Sequence, residues 1–185
     1  QAEAQLSRWG YAPLWAPPRQ PKRPPSINAR AESIASSALF RDALEHRRCL
    51  IPATGFYEWQ MQPGSGQRTP MHIRLKSGEP FAFAGLWTNG QRDAGPSATI
   101  VTCQPNELMA SIHTRMPVIL RPEDEAVWLD PRSSPTDAVL ALLRPYPAEL
   151  MEAYAVSTLV NSFQNDGPGL IAPSSSLVVR QPRLF

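Results

Sequence analysis

Lysine is nearly absent from this chain. Of its 18 basic residues all but Lys22 and Lys76 are arginine, and 16 acidic residues bring the formal net charge to +2. A chain this close to neutral is no histone-like polycation, so any nucleic-acid contact must come from a local patch. Arginine in place of lysine suits planar, bidentate phosphate contacts; codon usage in a GC-rich genome would give the same bias, and composition leaves both readings open. Cysteine is scarce too. Cys49 lies in "RRCLIP" and Cys103 in "TIVTCQ", two apolar, strand-like runs. That pattern gives no secreted disulfide framework and is expected to leave two buried thiols in a reducing compartment. No apolar run approaches transmembrane length and no signal peptide is visible, so the chain reads as cytosolic, with no membrane partner. The three histidines, His46, His72 and His113, are scattered, and neither cysteine has a second at zinc-finger spacing. No metal site and no cofactor are expected. P-loop, GxGxxG and GxSxG signatures are all absent, which disfavours the nucleotide-binding and serine-hydrolase classes they mark.

Proline, by contrast, is abundant: 21 in 185 residues, about twice average usage. Prolines crowd Pro13 to Pro25 and Pro131 to Pro147, pointing to ordered irregular segments rather than long helices. With 42% apolar residues the chain is expected to fold as one domain over 1–185. Helical spacing of Ile34, Ala35, Ala38, Leu39 and Leu44 predicts a helix over 31–47. Strands then take over. "CLIPATGFYEW", the turn "QPGSGQ" and the alternation from Met71 to Leu75 read as a hairpin. Phe81 to Trp87 and Ser97 to Cys103 read as further strands, "PNELMASIH" as a short helix leading into "MPVIL", and Glu123 to Leu129 and Thr136 to Leu143 as helices. "MEAYAVST" reads as a strand and "VNSFQNDGPGLIAP" as a polar loop; Leu177 to Val179 is a last apolar run. Strands outnumber helices and do not alternate with them, which predicts an α+β fold with a curved, mainly antiparallel sheet flanked by short helices.

Three polar islands interrupt this framework. In Ile27-Asn28-Ala29-Arg30-Ala31-Glu32, Asn28 either caps the following helix (as Ser33 could) or belongs to a site. In "TGFYEW", period-two alternation puts Phe56 and Glu58 on one strand face and Tyr57 and Trp59 on the other. A carboxylate sharing a face with Phe56 is partly desolvated, which raises its pKa and suits a proton shuttle; an edge-strand Glu paired with an Arg would look the same. In Ile112-His113-Thr114-Arg115, His113 either donates to a developing oxyanion, with Arg115 on a phosphate, or caps the end of the helical turn.

Taken in order, "RWGYAPLW", "INARAES", "RRCLIPATGFYEW", "FAFAGLW", "ASIHTRMPVIL" and "VNSFQNDGPGLIAP" resemble the SRAP family, the "SOS response-associated peptidase" proteins that shield abasic sites in single-stranded DNA. The resemblance spans nearly the whole chain. It implies a compact α+β domain with a β-rich, barrel-like core and a DNA-binding groove. It also implies covalent chemistry in the DNA damage response. The α-amino group of an N-terminal Cys forms a Schiff base with the ring-opened abasic sugar, and its thiol closes a thiazolidine. The family name adds autoproteolytic peptidase activity. By motif, Asn28 positions the cysteine end, Glu58 shuttles protons and His113 stabilises the sugar oxygen released on ring opening. Arg30 and Arg115 suit the flanking phosphates, and Trp15 and Trp59 suit stacking on bases. The implied partner is single-stranded DNA with abasic sites, met at the bacterial nucleoid in the cytoplasm by a monomer.

One departure is plain. The family begins Met-Cys-Gly-Arg, whereas position 1 here is Gln1, and neither Cys49 nor Cys103 sits where the nucleophile belongs. Because Trp9-Gly10-Tyr11 already reads like a domain interior, further residues are expected upstream. Residues 1–185 alone are expected not to crosslink, and to be prone to self-association through strands left unpaired. The alternative reading is a non-catalytic single-strand-binding module that kept the groove and lost the nucleophile. A general peptidase on protein substrates has no nucleophile–base pair here.

Overall fold

The computed structural model describes residues 3–13, 25–89, 95–132 and 137–174. Trp15 and the Leu177 to Val179 run lie outside the described residues. Two compact units emerge: one of Gln1–Pro52, Phe81–Gln104 and Met116–Tyr146, the other of Ala53–Pro80, Pro105–Arg115 and Pro147–Phe185.

The first unit is built on a seven-stranded sheet. Its centre is β6 (Phe81–Thr88) against β7 (Ser97–Cys103), antiparallel with Gly85 opposite Ile100. Both strands are buried along nearly their whole length, as continuous apolar runs such as "FAFAGLW" require. β1 (Arg8–Trp9) and β2 (Asn28–Arg30) run parallel to β7, and β3 (Arg48–Ala53) lies beside β6. β8 (Met116–Pro117) and β9 (Ile119–Leu120) are short antiparallel additions to β7 and β6. The pattern had suggested a mainly antiparallel sheet and that holds, but the two parallel pairings were not legible in it.

The predicted helix over 31–47 is broken. A 3-10 turn at Ala31–Ser33 and a six-residue helix, α1 (Arg41–His46), flank a run of turns. Ser36 Oγ donates to the Ser33 carbonyl and Ser37 Oγ accepts from the Leu39 N–H. Such serine contacts compete with helix propagation. Ile34 and Leu44 are nevertheless fully buried. Arg48 is buried beside α1. Its guanidinium donates to the carbonyls of Leu44, Trp128 and Asp130 and lies 5.7 Å from the centre of the Trp128 ring. Trp128 belongs to a helix of Pro122–Leu129 that opens on Pro122, a residue suited to the first helical position. After α2 (Glu107–Ala110) this helix is α3 in chain order, and Asp137–Ala141 is α4.

The second unit carries a three-stranded antiparallel sheet, β10 (Met151–Ala155), β5 (Arg68–Leu75) and β4 (Phe56–Met61). β4 and β5 form the expected hairpin, with Tyr57 opposite His72 and Glu58 opposite Met71. The stretch "CLIPATGFYEW" is therefore two strands, parted at Thr54-Gly55 and sent to different sheets. Gly55 is required by close approach: a Cβ there would stand 2.3 Å from His72 Nε2. The fold is α+β as expected. The barrel-like core needs correction, since the strands pair within two separate sheets and no closed barrel forms among the described residues.

Candidate functional site

β4 is an edge strand of the three-stranded sheet. Pleating puts Phe56, Glu58 and Gln60 on one of its faces, and the residues opposite Phe56 and Glu58 on β5 are the buried Ile73 and Met71. Glu58 thus shares its face with apolar neighbours. Partial burial raises its carboxyl pKa, while the facing His113 and the backbone N–H of Trp59 pull it back down. Glu58 is on an edge strand, and it faces a histidine rather than an arginine. Glu58 Oε1 lies 4.0 Å from His113 Nδ1.

His113 reaches that place from α2. Four residues are too few for a helix to hold itself, so its ends must be tied. Asn106 caps its start, Oδ1 accepting the Met109 N–H at 2.9 Å. Met109 and Ile112 are buried and anchor it. Gln60 Nε2 donates to the Ser111 carbonyl at 2.9 Å just past its end. The backbone N–H of His113 bonds the Met109 carbonyl at 2.8 Å, but the imidazole does not cap α2 as one expectation had it. Instead Nδ1 stands 3.2 Å from the backbone nitrogen of Arg115 and 3.1 Å from its carbonyl oxygen. A neutral ring can accept from the N–H, and a protonated one can donate to the C=O. Nδ1 thus has a backbone partner in either protonation state.

On the opposite face of the same sheet, His72 is buried between Tyr57 and Tyr154, with ring centres 5.3 Å from each. The Tyr154 hydroxyl donates to the Ile171 carbonyl at 2.9 Å and accepts from His72 Nδ1 at 3.0 Å. Burial, then the positive charge of Arg74, lowers the His72 pKa, so this ring is neutral and structural. Trp59 is 36% exposed and is no core anchor; its Nε1–H donates to Asn161 Oδ1 at 2.8 Å.

The remaining sequence-predicted residues are placed as follows. Asn28 and Arg30 are exposed on β2 of the first unit, two residues apart on one face, with Ala29 fully buried between them. Asn28 does not cap the 3-10 turn; the residue at that position is Arg30, with no side-chain cap. Arg115 follows His113 in the second unit. Glu58 and His113 are brought together, whereas Asn28 and Arg30 belong to the other unit. The two cysteines are free. Burial pushes the Cys49 thiol up to about 12, and Cys103 is buried, so neither is a ready nucleophile. The sequence reading missed Gln60 and Asn106. Asn106 was findable, an Asn directly before an acidic, helix-forming "ELMA"; nothing marked Gln60.

The chain as a whole has recognisable relatives. The family model described as SOS response associated peptidase (SRAP) matches residues 1–163. The Bacillus subtilis "Abasic site processing protein YoqW" is 47% identical over 168 residues, covering 89% of this chain and 74% of the relative. The Escherichia coli "Abasic site processing protein YedK" is 31% identical, covering 89% and 72%. A crystal structure of a protein from Bacteroides thetaiotaomicron superposes with a TM-score of 0.80 at 29% identity, over 92% of this chain and 76% of that one.

Proposed function

The chain belongs to the SOS response associated peptidase family, and from that premise we propose that it binds single-stranded DNA and crosslinks abasic sites to protect them during the damage response. The reaction joins an N-terminal cysteine to the ring-opened sugar. The α-amine adds to the sugar aldehyde and expels one water as the imine forms. The thiol then adds across the C=N bond, its proton passing to nitrogen, to close a thiazolidine. Neither Cys49 nor Cys103 suits this step, because only a residue carrying both amine and thiol can close that ring.

The observation that carries the reading is the pair Glu58 and His113, 4.0 Å apart. Glu58, its carboxyl raised by partial burial, takes the proton released on sugar opening and returns one for water loss. His113 donates from Nε2 to the oxygen freed when the ring opens. Asn28 positions the cysteine end, Arg30 and Arg115 hold flanking phosphates, and Trp59 and Trp15 stack on bases. Associated autoproteolytic peptidase activity belongs to the same reading, as does work in the cytoplasm at the nucleoid.

The test uses the protein as translated from its gene. Incubation with a single-stranded oligonucleotide bearing one abasic site should give a heat-stable adduct whose mass is the sum of the partners less one water. Replacing the N-terminal cysteine by alanine should abolish it. An adduct that forms equally well without that cysteine, or none at all, overturns the reading.

A further inference from the structure

We infer that Gln60 is the positioning residue of this site: its amide N–H, held on the Ser111 carbonyl, sets the separation between His113 and Glu58. The inference rests on the proposed roles of those two residues but makes its own claim about geometry.

Glu58 and Gln60 stand two residues apart on one face of β4, and His113 and Ser111 stand two apart on the segment facing it. The strand residues meet that segment in pairs, Gln60 at Ser111 and Glu58 at His113, at 2.9 and 4.0 Å. Only the first is a hydrogen bond; the second is too long to hold itself. A carbonyl just past a helix end is one of the groups left without an intrahelical partner, and Gln60 supplies the partner here. Asn106, Met109 and Ile112 fix the start and the buried side of α2. Gln60 is the side chain of β4 that fixes its end, two residues before the imidazole. Ionisable side chains on these elements are Tyr57 and Glu58 on β4, Glu107 opening α2, and His113 and Arg115 beyond it; β5, paired with β4, sets Met71 and Ile73 on the Glu58 face and its Arg68, His72 and Arg74 on the other, with Tyr57.

Three variants separate positioning from bulk. Gln60→Met keeps the length and removes the donor. Gln60→Glu keeps the shape and turns an acceptor toward a carbonyl. Gln60→Lys keeps an N–H donor. Loss of the tether should slow single-turnover crosslinking by about 10- to 100-fold, the scale for displacing a reacting group by an ångström, with DNA affinity unchanged; Gln60→Lys should restore most of the rate. A second readout does not depend on activity. The Glu58 carboxyl carbon, followed by NMR, should titrate at higher pH in Gln60→Met, because His113 no longer faces it. The same substitution in a His113→Ala background should move nothing. If Glu58 titrates identically with and without the Gln60 amide, or shifts equally in both backgrounds, the inference is wrong. If the unmodified protein forms no adduct, the proposed function fails, and the titration still decides the role of Gln60.

Discussion

Replacing Glu58 by glutamine should stabilise the protein at neutral and alkaline pH while disabling it. In the folded state the Glu58 carboxyl titrates above its ordinary range, and the first cause is partial burial. Folding therefore penalises the carboxylate, and that penalty is fully present above the folded pKa. It fades as pH falls through the window between the folded and ordinary values, and it is absent below the ordinary carboxylate pKa, where both states are protonated. Glutamine keeps the shape and carries no charge to bury. It can still accept the Trp59 N–H that Glu58 accepts. What it loses is attraction to a protonated His113 at 4.0 Å, worth about 0.2–1 kcal/mol for a half-exposed pair. The gain should thus be largest at pH 8, where the Glu58 carboxylate is charged, smaller near pH 5, close to the ordinary carboxylate range, and gone at pH 3. Relieving one functional group of this kind gives on the order of 1 kcal/mol, or about 2–4 °C in Tm for a chain of this size. Urea titration or calorimetry of both proteins at the three pH values checks it. An equal gain at pH 8 and pH 3, or a loss at pH 8, would refute the desolvated-carboxylate account of Glu58.

Three further outcomes follow from the packing. Gly55→Ala should cost about 1–3 kcal/mol, because the new Cβ would stand 2.3 Å from His72 Nε2; adding His72→Ala should recover part of it in a double-mutant cycle, and strict additivity would show that the contact is not the cause. Arg48→Met should cost about 1–3 kcal/mol by leaving the Leu44, Trp128 and Asp130 carbonyls without their donor. Arg48→Lys should rescue it poorly, since the three N–H donors of an ammonium radiate from one nitrogen and cannot span carbonyls that three separate guanidinium nitrogens reach, and denaturant midpoints decide. Iodoacetamide at pH 8 should leave both cysteines unlabelled in the folded protein, Cys49 because its thiol is pushed up to about 12 and Cys103 because it is buried; mass spectrometry showing Cys49 modified as fast as in urea would contradict this.

Much of the fold was legible because its signals are local. "QPGSGQ" between alternating runs announced the β4–β5 hairpin, and the nearly continuous apolar run "FAFAGLW" announced the strand β6. The helix expected over 31–47 failed because hydrophobic spacing cannot register Ser36 and Ser37 diverting backbone bonds. The division of "CLIPATGFYEW" between two sheets depends on the approach of His72 to Gly55, a contact between positions 17 residues apart. The site was legible in the same graded way. Alternation gave Glu58 a partly apolar face, but only the folded chain puts His113 opposite it. Gln60 looked like any solvated strand residue, since its partner is a backbone carbonyl that no residue type encodes.

The central claim is that Glu58, facing His113, moves the protons of abasic-site crosslinking. Single-turnover adduct formation on a single-stranded oligonucleotide with one abasic site, comparing the full-length protein with its Glu58→Gln form, tests it most directly. The account predicts a well-folded variant that crosslinks about 10²- to 10⁴-fold more slowly, the range for losing a positioned acid–base group. A Glu58→Gln protein that forms adduct at the unmodified rate would contradict it.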